Sequence, residues 1–120
     1  MSVLSQAALV ALSEWIDAGN RGRDAEAVTW GRIAKIGEEH GEVIAAFIGA
    51  TGQNPRKGVT HTIDDVLTEL LDVAVTALGA YEHLTGHASG SLSALDRHII
   101  GVASRAGLIS STTDHTDGGE

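Results

Sequence analysis

TIDDVLTELLDVAVTALGAYEH, residues 62–83, carries the reading of the fold. Thr62 precedes an apolar-periodic run, and Asp65 follows three residues later. That is a capping arrangement, so the pattern predicts a helix from about Ile63 to His83. At about 100° per residue with Glu69 at zero, Leu67, Leu70, Leu71, Ala74, Leu78 and Tyr81 span roughly 100–200°. Val73 and Val75 flank that arc, whereas Asp72 and Asp65 fall within one narrow sector just short of Glu69, well away from it. The helix therefore has an apolar face and an acidic edge. Asp72 sits in ELLDVAVTAL, with no Lys or Arg between Asp64 and Glu82. Another chain segment, protons or a divalent ion must neutralise it.

Working upstream, GATGQNPRKG (residues 49–58) is a loop by composition. Before it, Asp24 is an N-cap for a helix reaching about Ile48. With Glu39 at zero on this second wheel, Glu42, Glu38 and Lys35 all fall on the same polar side, within about 100° of it. Ile33, Ile36, Val43, Ile44, Phe47 and Ile48 fall between roughly 40° and 180° on the other side. A first helix covers Leu4 to Asp17 and stops at Gly19-Asn20, and a fourth covers Leu92 to about Arg105 with Gly107 as its stop. The expected fold is all-α, a four-helix bundle-like domain over residues 1–109, with the acids of the second and third helices facing each other. Residues 110–120, SSTTDHTDGGE, are polar and unpatterned and are expected to be disordered. Trp15 is assigned to the core, and His40 to a buried or interface position. Gly37 and Gly41 have the spacing of a close helix approach.

Composition narrows the function. A chain of 120 residues is one domain. The absence of cysteine excludes disulfides, thiolate-bound zinc and a cysteine nucleophile. Sixteen acidic residues against eight basic ones give a net charge of -8, which argues against nucleic-acid polymers and anionic membranes as partners. Four aromatic residues, Trp15, Trp30, Phe47 and Tyr81, are too few for a stacking platform. No apolar run is long enough to span a bilayer. The opening MSVLSQAALVALSEW lacks the basic region of a secretory signal, so a cytoplasmic location is expected. Acid excess implies cations as partners, or ligands that arrive with them.

Glu39 and Glu42 are three apart, as are Glu69 and Asp72. Helical side chains at that spacing are neighbours, about 5–6 Å apart at Cβ, and like charges there cost a few tenths of a kcal/mol per pair. The cost rises when two such pairs face each other in a low dielectric. Clustered carboxylate oxygens suit a hard cation, Mg²⁺ or Mn²⁺. No Asp or Glu has a His three residues later, so the di-iron bundle signature is missing.

Glu38-Glu39-His40-Gly41-Glu42, twenty-six residues, then Glu69-Leu70-Leu71-Asp72 resembles the EExxE…ExxD signature of MazG-like all-α nucleoside triphosphate pyrophosphohydrolases. The resemblance covers about Trp30 to Leu84. It implies hydrolysis of nucleoside or deoxynucleoside triphosphates between the α and β phosphates, giving a monophosphate and pyrophosphate. It implies Mg²⁺ (or Mn²⁺) on Glu39, Glu42, Glu69 and Asp72, with Glu38 in the outer shell or orienting water beside Glu39. It also implies a homodimer or homotetramer in which a second subunit completes the substrate site.

Arg56 and Lys57, in the loop between the acid-bearing helices, are candidates for the β and γ phosphates, as is Lys35. Asn54 is a candidate for base or sugar, although loop asparagines commonly serve turns. Trp30 is a candidate for base stacking, set against a place in the core or a subunit interface. Phosphoribosyl-ATP pyrophosphohydrolase shares this fold and chemistry and is the second enzymatic reading. A non-catalytic acidic helical module is the alternative of a different class. Glu82 lies outside the motif and is the control acid, whose removal is expected to leave activity intact.

Overall fold

The computed structural model describes residues 2–110. Four helices follow in order: α1 (Val3–Gly19), α2 (Ala25–Thr51), α3 (Ile63–Leu84) and α4 (Ser91–Arg105). There is no strand among the described residues, so the fold is all-α. The tail at 111–120 lies outside the described residues.

The helix starts are set by side-chain oxygens that accept otherwise unpaired backbone N–H groups. Ser2 accepts from Ser5 N, and Asp24 accepts from Ala27 N. Thr62 and Asp65 form a complete capping box: Asp65 N donates to Thr62 Oγ1 at 3.2 Å, and Thr62 N donates to Asp65 Oδ2 at 2.8 Å. The bond from Thr62 N holds the Asp65 carboxyl below its ordinary value. Gly52 ends α2 in the left-handed conformation, φ 64°, which glycine adopts without steric cost.

Helices α2 and α3 are antiparallel. Thr29 meets His83, Glu39 meets Glu69 and Asp72, and Thr60 N closes the hairpin on Gly49 O at 2.9 Å. Two glycines permit close approach. A Cβ on Gly79 would stand 3.2 Å from Arg32 Nη2, and one on Gly49 would collide with the His61 ring and the Thr60 hydroxyl. Gly37 and Gly41, whose spacing predicts a close approach, have nothing within 4 Å of a Cβ among the described residues. Helix α1 crosses the C-terminal half of α3, where Ser13 Oγ donates to Gly79 O at 3.0 Å. Helix α4 docks on the end of α3 through Glu82, so α3 touches all three other helices.

The packed seam between α2 and α3 runs through their acids, and the large apolar side chains point away from it. On the α3 wheel, Gly79, His83, Thr76, Ala80, Val73 and Val66 surround Glu69 within about 80° and are buried or half-buried. Of the predicted apolar face, Leu67, Leu70, Leu71, Ala74 and Tyr81 are exposed and Leu78 is half-buried. Helix α2 behaves alike. Arg32, Ile36, Val43 and Ala46 flank Glu39 on the inner side, whereas Trp30, Ile33, Ile44 and Phe47 form an exposed stripe with Gly37, His40 and Gly41.

One assignment is therefore corrected: Trp15 is 75 % exposed rather than core. Trp30 is 64 % exposed and His40 is exposed, so neither belongs to the core of the single chain. Among the described residues, the buried apolar side chains are only Leu9, Ala46, Ala80 and Leu92. No described helix is long and apolar enough to cross a membrane.

Polar groups carry much of the internal packing. Glu82, fully buried, accepts from Ser91 N (2.9 Å), Ser89 N (3.1 Å) and Gln6 Nε2 (3.1 Å). It thereby serves as the anionic cap of α4, whose own N-cap position, Gly90, has no side chain to do so. Burial pushes the Glu82 carboxyl up, but the bonds from Ser91, Ser89 and Gln6 outweigh it and leave the pKa below its ordinary value. Glu82 is thus a structural anchor, not a neutral control.

Candidate metal centre

Glu39 on α2 and Glu69 and Asp72 on α3 each bring a carboxylate oxygen within 4.8 Å of the others. Glu39 and Glu69 lie on the packed sides of their helices and are half-buried, and Asp72, one turn on from Glu69, is exposed. Glu69 Oε2 is buried and has no hydrogen-bond partner among the described residues. A carboxylate oxygen removed from water without a donor is costly, and two further carboxylates beside it raise the cost. This donor set is all hard oxygen, with one orphaned atom and one open side, and it fits a hard divalent cation.

The other motif residues are placed differently. Glu42 is exposed and outside the group of three. It is turned about 60° from Glu39, away from the seam. Glu38 is exposed and bonded by Lys35 Nζ at 3.0 Å; the same ammonium lies 3.5 Å from Glu39. The bond to Glu38, with the nearby charges of both acids, raises the Lys35 pKa. Lys35 is therefore the cation beside the cluster.

Arg56 and Lys57 sit at the tip of the hairpin. Glu39 is thirteen residues from Gly52, a rise of about 20 Å, so neither side chain reaches the carboxylates of its own chain. Asn54 makes the turn: its Oδ1 accepts from Arg56 N at 3.1 Å, and its carbonyl accepts from Lys57 N and Gly58 N. Trp30, nine residues before Glu39, belongs to the outer stripe of α2 and does not border the cluster.

A cleft of about 530 Å³ opens between α1, α2 and α3. Leu9, Leu12, Ile16, Val28 and Val75 supply apolar wall, and Arg32 is part of the lining. Lys35 also lines this cleft, so it and the acidic cluster share a border.

Behind the cleft is a polar network that sequence reasoning does not find. Arg32 Nη1 donates to Asp17 Oδ1 at 2.9 Å, and Nη2 donates to Ser13 Oγ at 2.8 Å. His83 Nδ1 donates to Asp17 Oδ2 at 2.6 Å, with Thr29 Oγ1 2.9 Å from the other ring nitrogen. Ser13 gives its proton to Gly79 O, so it accepts from His87 Nε2 at 2.9 Å. Burial pushes the Asp17 carboxyl up, but its bond to His83 and the charges of His83 and Arg32 prevail and lower it. The serine is fully buried, and Asp17 approaches the same His87 nitrogen that faces Ser13, at 3.4 Å. That geometry holds α1 in place and is not a nucleophilic triad, in which acid and serine take opposite ring nitrogens. One local signal points this way. Arg32 shares its helical phase with Ile36 and Val43, which marks a buried cation. Its partners Ser13 and Asp17 belong to a different helix, and no periodicity along the chain connects them to it.

Set against family models, curated proteins and solved structures, the chain matches none, so the MazG-like resemblance rests on the motif residues themselves.

Proposed function

We propose that the protein is a MazG-like, Mg²⁺-dependent nucleoside triphosphate pyrophosphohydrolase, releasing pyrophosphate and a nucleoside monophosphate. The observation that carries this reading is the convergence of Glu39, Glu69 and Asp72 around the unpartnered Glu69 oxygen. These three residues would hold the ion, and Mn²⁺ would serve in its place. When bound, the ion offsets charge on the phosphate oxygens and activates water.

The chain's own groups divide the remaining tasks. The α2–α3 packing fixes Glu39 and Glu69. Asp72 stands at the open side, where substrate arrives. Lys35 meets the triphosphate charge left over by the ion. Glu38, exposed beside it, orients water. Glu42 joins from its neighbouring phase once substrate or a second subunit draws it in.

A second copy of the chain is part of this proposal. The accessible surface of 8613 Å² exceeds by roughly 1,200 Å² that of a compact chain of the described length, even with residues 1 and 111–120 credited with full extended-chain area. One partner in an ordinary stable interface buries about 800 Å². The exposed stripes of α2 and α3 supply the surface, and Gly37 and Gly41 open a path for a second helix. In a dimer or tetramer, a partner's loop cations reach carboxylates that they cannot reach in their own chain.

The test is pyrophosphate release from a panel of ribo- and deoxyribonucleoside triphosphates with Mg²⁺. Release that is lost in Glu69→Gln and Asp72→Asn, and kept in the exposed control Glu14→Gln, supports the reading. No release from any triphosphate at high enzyme concentration overturns it.

A further inference from the structure

We infer that the cleft between α1, α2 and α3 seats a planar heterocycle by a carbonyl edge, so that the protein selects keto bases (uracil, thymine, guanine, hypoxanthine) over amino bases (cytosine, adenine). The inference takes its class of ligand from the nucleotide reading above and adds which base is taken.

The chemistry of the lining carries it. Arg23, Arg32 and Lys35 line the cleft, and no carboxylate does among the described residues, in a chain with twice as many acids as bases. Arg32 matters most, because its side chain is only 9 % exposed and it forms part of the wall. A guanidinium has five N–H donors and no acceptor. Two Nη1 bonds, to Ser13 O and Asp17 Oδ1, and one Nη2 bond, to Ser13 Oγ, leave two donors uncommitted. Arg32 lines the cleft, so a ligand carbonyl there can take up a donor that otherwise faces water.

An amino group presented there would set donor against donor. Asn20, also in the lining, donates an amide N–H to Ile16 O at 2.9 Å and keeps its side-chain oxygen as an acceptor. A keto edge pairs a carbonyl acceptor with a ring N–H donor, which matches a lining that offers both arginine donors and an asparagine acceptor. An amino edge inverts that order and leaves Arg32 unpaired. Lys35, a lining residue 3.5 Å from Glu39, gives the direction: base in the cleft, phosphates toward the carboxylates.

The test is calorimetric titration of the full chain, without added metal, with UMP, CMP, IMP and AMP. Within each pair the ligands differ only at one keto or amino position and the adjoining ring nitrogen. UMP should bind at least about tenfold tighter than CMP, and IMP at least about tenfold tighter than AMP, since a site built around a hydrogen bond rejects the analogue that cannot make it. Gly31→Leu fills the cleft from a position with nothing within 4 Å of its Cβ. It should abolish binding while Tm stays level or rises, because a helical glycine is replaced.

Equal affinity within each pair, a reversed preference, or undiminished binding in Gly31→Leu overturns the inference. Pyrophosphate release from triphosphates with no base preference also overturns it and leaves the proposed reaction standing. Keto-selective binding that Gly31→Leu removes, in a protein that releases no pyrophosphate, supports the inference and overturns the reaction.

Discussion

Glu39 on α2 and Glu69 on α3 bring carboxylate oxygens within 4.8 Å of each other inside the packed seam of their helices, and Glu69 Oε2 is buried there without a hydrogen-bond partner. A seam that needed only stability would place leucines at those positions. The arrangement gives up stability for a site with a strong demand for positive charge.

The first prediction is a gain of stability on damaging the site. Without divalent ions, Glu69→Gln removes one of three mutually repelling carboxylates. It should raise the free energy of unfolding by about 3 kcal/mol, the scale of one such repulsion at about 5 Å and an effective dielectric near 20. Urea denaturation in EDTA measures it. A loss of stability would mean that the carboxylate is satisfied by contacts within the protein.

Glu82→Ala is expected to behave in the opposite way. It orphans the amide N–H groups of Ser89 and Ser91 and uncaps α4. A loss of about 3 kcal/mol follows from leaving buried donors unsatisfied. For a domain of this size that lowers Tm by about 15 °C. Thermal melting checks it, and an unchanged Tm would contradict the anchoring role.

Acid should unfold the protein through two particular carboxyls. Asp17 and Glu82 both have folded pKa values below their ordinary 3.8 and 4.5. Each therefore contributes stability that is fully present above its unfolded pKa and is lost as pH falls through the folded value. Urea midpoints should be level from pH 7 to about 5 and should fall steeply below about 4.5. In Glu82→Gln the midpoint starts lower and declines less over that acidic range.

Ile44→Asp and Leu71→Asp place charge on the outer stripes of α2 and α3, where both residues are exposed in the single chain. Light scattering after gel filtration should show wild type as a dimer or tetramer and the double variant as a smaller species. A wild type that is monomeric at all concentrations would contradict the second-copy proposal.

The contrast between what the sequence predicts and what the chain does follows one physical line. Local signals read well. The capping box at Thr62 and Asp65, the cap at Asp24 and the glycines after α2 and α4 are encoded within a turn of where they act. The spacing of Glu69 and Asp72 likewise places two acids on one edge. The inference from apolar arc to core does not hold. Leu67, Leu70 and Leu71 do form a face, but periodicity names a face that must be covered and not what covers it; within this chain the helices meet through their acid-bearing sides. Asp17, Arg32, His83 and His87 lie beyond reach for a related reason. Their order depends on how α1 crosses α3, and no spacing along the chain records that crossing. Arg56 and Lys57 look like neighbours of the acids because the loop joins both helices, yet more than three turns of α2 separate them.

Binding of Mn²⁺, followed by loss of the free-ion electron paramagnetic resonance signal, tests the central claim most directly. Wild type should take up the ion with saturable stoichiometry, and Mg²⁺ should compete for it. Glu69→Gln and Asp72→Asn should each leave most of the free signal in place, and Glu14→Gln should match wild type. Equal uptake by wild type and by the triple variant Glu39→Gln/Glu69→Gln/Asp72→Asn, or no uptake by any of them, would contradict it.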